Sequence, residues 1–185
     1  MHSNYLLFFV ILCLIILIFL SKKEGLITTI DEEVNVPVKN KDLVVRIQLN
    51  CLVQPGTIPW DDAWINLGDI TIRDRNGNQI NYGNTTKVHF SNYENWDGLP
   101  VQNLWDDNKA SMGHSRRGLE NLIIKLDPVA VGSVQITNRQ DCCWHRIVNH
   151  ELVLYNNLND PIANIKLDRL YGQGKTVKYN FTYPL

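Results

Sequence analysis

Apolar and polar residues alternate with a period of two in short runs from residue 43 to the end of the chain, and this pattern predicts β-strands. The clearest run, 64–72 (Trp-Ile-Asn-Leu-Gly-Asp-Ile-Thr-Ile), ends just before the turn signal Asn76-Gly77. The other predicted strands cover residues 44–49, 122–126, 131–137, 151–155, 162–167 and 177–183. Because this region shows no helical period, we expect residues 43–185 to form one all-β domain, a β-sandwich.

A continuous apolar stretch, residues 5–20 (YLLFFVILCLIILIFL), precedes this domain. Its sixteen residues approach the ~20 that a helix needs to span a bilayer. No Lys or Arg precedes the stretch, and Ser21-Lys22-Lys23 is a poor cleavage site for a signal peptidase. We therefore predict a single-pass membrane protein with a transmembrane signal-anchor over residues 1–21 and a stalk over residues 22–42. A cleaved signal peptide is the alternative.

Two features of the sequence disagree about the side of the membrane on which the domain lies. The two lysines after the apolar stretch would place it in the cytoplasm by the positive-inside rule. The adjacent Cys142 and Cys143 favour an oxidising compartment, and Asn-x-Thr glycosylation motifs at Asn84 and Asn180 agree with them. We give the cysteines more weight and expect an extracytosolic domain, on a cell or virion surface.

Composition excludes several functional classes. The net charge is −1 and the basic residues are scattered, which argues against a nucleic-acid partner. The four cysteines, at 13, 51, 142 and 143, do not have the spacing of a zinc site. Paired carboxylates, nucleophile motifs and phosphate loops are missing from the sequence, so we expect no enzyme. A redox role for Cys142 and Cys143 beside His145 is a minor alternative.

The segment Asn138–Arg146 is the most unusual part of the chain. Two Arg, one Asp and two adjacent Cys follow a predicted strand within eight residues. Adjacent cysteines can pair only by closing a tight ring across their own peptide bond. The segment is interpreted either as a recognition surface or as a salt-bridged brace for a loop. A second irregular segment, 91–117, is long enough that we expect it to be functional or held by an ion.

The spacing Arg139-x-Asp141-Cys142-Cys143-x-x-Arg146, with His114 twenty-five positions before the first Arg, resembles the signature of the F-type lectins, or fucolectins. These belong to the discoidin-like galactose-binding superfamily. The resemblance extends over about residues 43–167. It implies a jelly-roll β-sandwich and binding of fucose or related glycans, so that the chain would be a membrane-anchored lectin-like protein.

The resemblance also implies which residues hold the sugar. His114, Arg139 and Arg146 would bind its oxygens, a Cys142–Cys143 disulfide would contact its C–H groups, and the carboxylate of Asp141 would orient the two Arg side chains. Trp144 is a further candidate for the wall of the site. A monosaccharide makes few contacts, so the affinity would be weak, about 10 µM to 1 mM. Assembly into a homo-oligomer would then provide avidity.

A structural calcium ion is the expected cofactor. The family's calcium loop resembles Asn103-Leu104-Trp105-Asp106-Asp107-Asn108 followed by Ser111, three residues before His114. Calcium takes six to eight oxygen ligands, which such a loop can supply. The predicted ligands are Asn103, Asp106, Asn108 and Ser111, with Asp69 as an additional candidate. The alternative is an ordinary turn rich in Asn and Asp.

The chain also departs from the family. Paired Trp residues usually precede the strand at 122, where this chain has Glu120-Asn121, and the strands at 44–49 and 65–72 resemble ones that many members place at the C-terminus. The rival function is therefore a membrane or virion surface protein that uses the sandwich as a scaffold for binding another protein. Two sets of residues are expected in structural positions: His89, His145 and His150, and Trp60, Trp64, Trp96 and Trp105.

Overall fold

Ten strands form two five-stranded sheets in the computed structural model, which describes residues 30–52, 64–82, 87–106, 108, 110–116, 118–148 and 150–185. The strands are β1 (Glu32–Pro37), β2 (Val44–Asn50), β3 (Asn66–Asp74), β4 (Val88–Phe90), β5 (Gly113–His114), β6 (Leu122–Val129), β7 (Val131–Asn138), β8 (Glu151–Tyr155), β9 (Pro161–Lys166) and β10 (Thr176–Thr182). Three short 3₁₀ helices connect some of them: η1 (Val101–Trp105), η2 (Trp144–Ile147) and η3 (Leu167–Leu170).

The two sheets pack face to face. The first has the strand order β1-β10-β7-β3-β5, and the second has the order β4-β6-β2-β8-β9. All neighbouring strands are antiparallel except β1 and β10, which are parallel. The prediction of an all-β sandwich is therefore confirmed.

A single apolar core lies between the sheets, because alternate residues of each strand face inward. In β7, Val134 and Ile136 are fully buried, and across the core so are Ile47 of β2 and Ile124 of β6. Tyr179 of β10 is the largest fully buried side chain. At roughly 25 cal/mol per Å² of apolar surface, burial of this core is the main stabilising contribution.

Each predicted strand overlaps an observed one. The predicted hairpin at 151–167 is formed by β8 and β9, and the Asn76-Gly77 turn has Gly77 at φ +84° with Asp74 Oδ1 accepting from two backbone N–H groups. The two shortest strands, β4 and β5, were not predicted. Their two or three residues are too few to show a period.

The boundary predicted at residue 43 differs from the structure. The segment 22–42, predicted as a stalk, contains β1, whose residues pair with β10 from Glu32↔Val177 to Pro37↔Thr182. Because β1 is an edge strand, it tolerates the two adjacent charged residues Glu32 and Glu33 and ends at a proline, so the sequence lacks a clear strand pattern here. The folded unit thus includes β1.

The predicted membrane anchor, residues 1–21, lies outside the described residues, as does the glycosylation motif at Asn84. In the parts of the chain that the structure describes, none of the helices has the length and apolar character needed to cross a membrane.

One end of the sandwich collects the residues that the sequence singled out. β7 ends at Asn138, β3 begins at Asn66, and β5 places His114 opposite Asn66. β10 begins at Thr176, opposite Thr137. We call this end, where β7 ends and β3 and β10 begin, the site end.

Candidate functional site

An open cleft of about 390 Å³ lies at the site end. It contains all five residues predicted to bind a sugar, together with two tryptophans and a leucine that were not predicted there. The lining residues are Trp64, Trp96, Leu99, His114, Arg139, Cys142, Cys143 and Arg146. Residues up to 82 positions apart in sequence thus form one surface. They come from the start of β3, the loop between β4 and η1, β5, and the segment that follows β7.

Arg139 forms one side of the cleft and is held by Asp141. Its Nε donates to Asp141 Oδ1 at 2.5 Å and its Nη2 donates to Oδ2 at 2.7 Å, a bidentate pair. Arg139 is 6% exposed, whereas Asp141 is 54% exposed. The Arg139 guanidinium holds the pKa of the Asp141 carboxyl below its usual range. Nε and Nη2 of Arg139 are thus bonded to Asp141, and its Nη1 group faces away from this pair.

Asn138, which was not predicted, fixes the loop that carries these residues. Its side-chain amide is fully buried, and Nδ2 lies 2.7, 2.8 and 3.2 Å from the backbone carbonyls of Trp144, Leu170 and Gly172, so its two N–H groups are shared among three acceptors. Its Oδ1 accepts from the Arg139 N–H at 2.8 Å. One side chain therefore ties the loop after β7 both to η2 and to the segment after η3. An asparagine at the end of a strand was the only signal in the sequence.

Cys142 and Cys143 also line the cleft, and in the sequence they lie between the two Arg residues. Their Sγ atoms lie 2.7 Å apart, and Cys143 has left-handed backbone angles, φ 61° and ψ 21°. The contact with Cys142 and burial raise the pKa of the Cys143 thiol, which disfavours a nucleophilic role. The predicted disulfide between them stays a prediction. Arg146 follows on η2, whose backbone begins with Arg146 N donating to the Cys143 carbonyl.

His114 closes the opposite side of the cleft. Its Nδ1 lies 2.6 Å from the backbone oxygen of Ser115. Because a carbonyl only accepts, Nδ1 carries the proton, and in the neutral ring Nε2 is then an acceptor. Burial lowers the pKa of His114, and the charges of Arg139 and Arg146 lower it further. The ring is therefore neutral at physiological pH and can accept a hydrogen bond from a hydroxyl.

Two tryptophans flank His114 and give the cleft an apolar wall. Trp64 and Trp96 are in edge contact, 5.7 Å between ring centroids at 78°, and each lies 5.4 Å from the His114 ring. Trp96 is 47% exposed. From the sequence, both were expected in structural positions. Trp144, predicted as a candidate for the wall, instead packs edge-on against Tyr171 at 4.6 Å, and it is not among the lining residues.

The predicted calcium ligands lie together in the loop between η1 and β5. The Ser111 hydroxyl is surrounded by the two carboxylate oxygens of Asp106 at 2.9 and 2.8 Å, the Asn108 carbonyl at 2.6 Å and the Asn103 carbonyl at 3.5 Å. One hydroxyl proton can serve only one of these four acceptors. Carboxylate, carbonyl and hydroxyl oxygens are the ligand types that a hard cation takes, and this loop brings five such atoms together, with six to eight needed for a complete calcium shell.

This loop is joined directly to the strand that carries His114. The side chain of Asn103 donates to the Met112 carbonyl at 2.9 Å, next to β5. A Cβ on Gly113 would lie 2.6 Å from Leu104 Cγ, so η1 packs against the β5 backbone too closely for any other residue. Asp69, the additional candidate ligand, lies in β3, where its Oδ2 accepts from Thr71 at 3.3 Å. Across the described residues, no three His, Cys, Asp or Glu side chains form a metal cluster.

A second Cys–His contact, between buried Cys51 and His150, is structural. His150 Nε2 lies 3.1 Å from the Trp64 carbonyl and 3.4 Å from Cys51 Sγ, while Nδ1 accepts from the Leu52 N–H at 3.3 Å. Nε2 therefore carries the proton and cannot act as a base towards the thiol. Burial raises the pKa of Cys51 to about 12. The pair holds Trp64 against the end of β2, so His150 has the structural position predicted for it.

Comparison of the chain with protein-family models, with curated proteins and with solved structures found no match.

Proposed function

We propose that this protein is a lectin that binds fucose or a related glycan in the cleft at the site end, through a jelly-roll sandwich of the F-type-lectin kind. The observation that carries the proposal is that His114, Arg139, Arg146, Cys142 and Cys143 line a single cleft. Its volume, about 390 Å³, lies in the range of small-ligand sites. The three residues whose spacing in the sequence resembles the F-type lectins, His114, Arg139 and Arg146, thus also lie together in the folded protein.

The polar side of the cleft suits a sugar with adjacent hydroxyls. Arg139 has two of its five N–H groups committed to Asp141, which leaves three donors held in a fixed plane. Arg146 supplies a second guanidinium. The neutral His114 offers an acceptor at Nε2, so a hydroxyl that receives from an Arg can donate to His114. Hydroxyl groups, which both donate and accept, are the ligand atoms that this combination satisfies.

The apolar side suits the carbon face of a deoxy-sugar. Trp64 and Trp96 lie beside His114, and Leu99, Cys142 and Cys143 also line the cleft. C–H groups and a methyl group would pack against these rings without leaving polar atoms unpaired. A Cys142–Cys143 disulfide would replace two thiols by a flatter apolar surface.

Calcium would be held by Asp106, Asn108, Asn103 and Ser111. It would balance the negative charge of the Asp106 carboxylate and bind the carbonyl oxygens that lie beside the Ser111 hydroxyl. Its role would be structural, because Asn103 donates to Met112, directly before the strand that carries His114, and none of the four ligands is among the residues lining the cleft. We also propose that residues 5–20 anchor the chain in a membrane with the domain outside the cytosol. Several anchored copies would provide the avidity that a weak monosaccharide site needs.

A glycan array tests the proposal with the full chain in detergent and two variants. We expect fucosylated glycans to bind the wild type and the signal to fall at least tenfold in His114→Ala. His145→Ala is the matched control, because His145 is exposed on η2 and is not among the residues lining the cleft. No glycan signal from the wild type, or equal losses in both variants, would contradict the proposal.

A protein-interaction scaffold is the second candidate, and the bidentate Arg139–Asp141 pair favours it. That pair would brace the loop whether or not a ligand binds. In this case Arg139→Ala should lower the melting temperature, whereas Arg146→Ala should leave any glycan signal unchanged. Glycan binding that depends on Arg146 would exclude the scaffold interpretation.

A further inference from the structure

We propose that the cleft recognises a glycan carried by the same membrane that holds the N-terminus of its own chain. The inference rests on the proposed function, both on glycan binding and on anchoring by residues 5–20. It specifies the partner: a lipid-linked or protein-linked glycan close to the bilayer surface in cis, and not one on an opposing surface.

The first observation is the place where the chain enters the sandwich. Asp31 N donates to the Thr176 carbonyl at 3.0 Å, and Thr176 N donates to Asp31 Oδ2 at 2.7 Å. Thr176 begins β10, next to the end of β7, where Asn138 N donates to the Lys175 carbonyl. The chain therefore enters beside the loop that carries Arg139. The parallel pairing of β1 with β10 fixes this, since an antiparallel β1 would start at the opposite end.

The entry point and the cleft are close neighbours. Within the first sheet, two strand spacings separate β1 from β7 and four separate β1 from β5. Neighbouring strands lie about 4.8 Å apart, so the entry point is about 10 Å from the Arg139 side and about 19 Å from the His114 side. Both distances are smaller than the length of the sandwich, because the eight residues of β7 alone span about 27 Å.

The length of chain before the sandwich limits how it can turn. Residues 21–31, eleven in all, lie between the apolar stretch and β1. A fully extended segment of this length reaches about 40 Å at most. To point the cleft away from the membrane, the segment would have to run back along the sandwich, and the roughly 27 Å length of β7 alone would use about two thirds of that reach. Orientations with the site end towards the membrane need only a small part of it.

The second observation is the distribution of exposed apolar side chains. Nine large hydrophobic residues are exposed in the described parts of the chain, and six of them lie at the site end: Ile30, Leu52, Tyr93, Trp96, Leu119 and Tyr171. The other three, Leu43, Leu158 and Leu185, lie at or beyond the opposite strand ends. Tyrosine and tryptophan favour the interface between lipid and water. The site end, which the position of the chain entry directs towards the membrane, is thus also the end with most of the exposed apolar and aromatic side chains.

Fluorescence quenching of the full chain in phosphatidylcholine vesicles tests the orientation without any sugar. The quencher is a lipid with a spin label on its headgroup. The contribution of Trp96 is the difference between wild type and Trp96→Phe, and the matched probe is Leu158→Trp, at the exposed β8–β9 turn of the opposite end. We expect at least twofold stronger quenching of Trp96. Equal or stronger quenching of the Leu158→Trp probe, or a chain that does not float with the vesicles, would overturn the inference.

The partner is tested by adding a fucosyl glycolipid either to the vesicles that hold the protein or to a second vesicle population. We expect a change in tryptophan emission in cis that His114→Ala abolishes, without clustering of the two populations. Clustering without a cis response would overturn the inference. A separate measurement of soluble fucose binding, with the chain in detergent, distinguishes failure of the proposed function from failure of this inference. If the chain does not bind fucose, the proposed function is wrong. If it binds fucose but shows no cis response, only this inference is wrong.

Discussion

Asp141→Asn separates the role of orienting Arg139 from that of touching a ligand. The substitution keeps the shape of the side chain but removes its charge and one of its two acceptor oxygens. Arg139 is 6% exposed and would lose a bidentate partner at 2.5 and 2.7 Å. We expect both stability and glycan affinity to fall, although Asp141 itself is not a lining residue of the cleft.

The size of the stability loss follows from the unequal burial of the pair. Exposed ion pairs contribute about 0–1 kcal/mol, whereas removing one partner of a buried pair costs about 3–5 kcal/mol. Asp141 is 54% exposed and Arg139 is buried, so we expect an intermediate loss of about 2 kcal/mol. For a domain of this size that lowers the melting temperature by about 6 °C. A guanidinium no longer held in place should lower the glycan affinity about tenfold, or about 1.4 kcal/mol.

Thermal unfolding followed by circular dichroism measures the first effect, and calorimetric titration with a fucosylated glycan measures the second. Asp127→Asn is the matched control, because Asp127 forms an ion pair with Lys87 at 3.0 Å but is 93% exposed. It should change the melting temperature by no more than about 2 °C, corresponding to less than about 1 kcal/mol. If Asp141→Asn is as mild as this control, the argument that Asp141 positions Arg139 is wrong.

The pH dependence of this difference gives a second check. The pKa of Asp141 is lowered in the folded state, chiefly by the hydrogen bonds from Arg139. Its stabilising effect is therefore fully present above the ordinary pKa of Asp, about 3.9, and is lost as the pH falls through the lower pKa of the folded state. The difference in melting temperature between wild type and Asp141→Asn should be constant above about pH 5 and shrink in more acidic solution.

Four further predictions concern the rest of the site. Burial lowers the pKa of His114 below the ordinary His value of about 6.5. Glycan affinity measured by titration should therefore stay constant from pH 8 down to about 6.5 and fall only in more acidic solution. A fall centred above about pH 6.5 would contradict the assignment of His114 as a neutral acceptor. Gly113→Ala should lower the free energy of unfolding by about 1–3 kcal/mol, because its Cβ would lie 2.6 Å from Leu104 Cγ; an unchanged denaturation curve would refute this. Calcium should raise the melting temperature of the wild type but not of Asp106→Asn, and equal responses would exclude this loop as the calcium site. A free-thiol titration should find no reactive thiol at Cys142 or Cys143 in the oxidised protein, and two additional thiols relative to a variant with serine at both positions would disprove the disulfide.

The fold could be predicted where strands show their period locally. β3 and β7 have eight or nine residues with clear alternation, and both were predicted within two residues. β1 could not be predicted, because its Glu32 and Glu33 are accommodated by partners about 140 residues later, Lys175 and Lys178. The charges of Glu32 and Glu33 are typical of a solvent-exposed stalk, and they acquire basic partners only when β1 pairs with β10 in the folded sheet.

The site could be predicted where the residues have fixed spacing, and not where exposure decides the role. Arg139, Arg146 and His114 were selected by their spacing, and they lie in one cleft. Trp64 and Trp96 were assigned to structural positions because an aromatic residue in a sequence does not show which of its faces is covered. Trp96 is half-exposed beside His114 because the start of β3, the loop before η1 and β5 come together in the folded sheet. The sequence does not show this arrangement.

The parallel arrangement of β1 and β10 also determines how the sandwich responds to mechanical force. The first residue of β1 and the last residue of β10 lie at opposite ends of the same strand pair, with six residue pairs in register between them. A pull between the N-terminal and C-terminal sides of the domain therefore slides the two strands along each other. The hydrogen bonds of a parallel pair are evenly spaced, so this load is shared by all of them instead of opening one after another. The joint nearest to the proposed anchor is thus loaded in shear, the direction in which a strand pair resists most strongly.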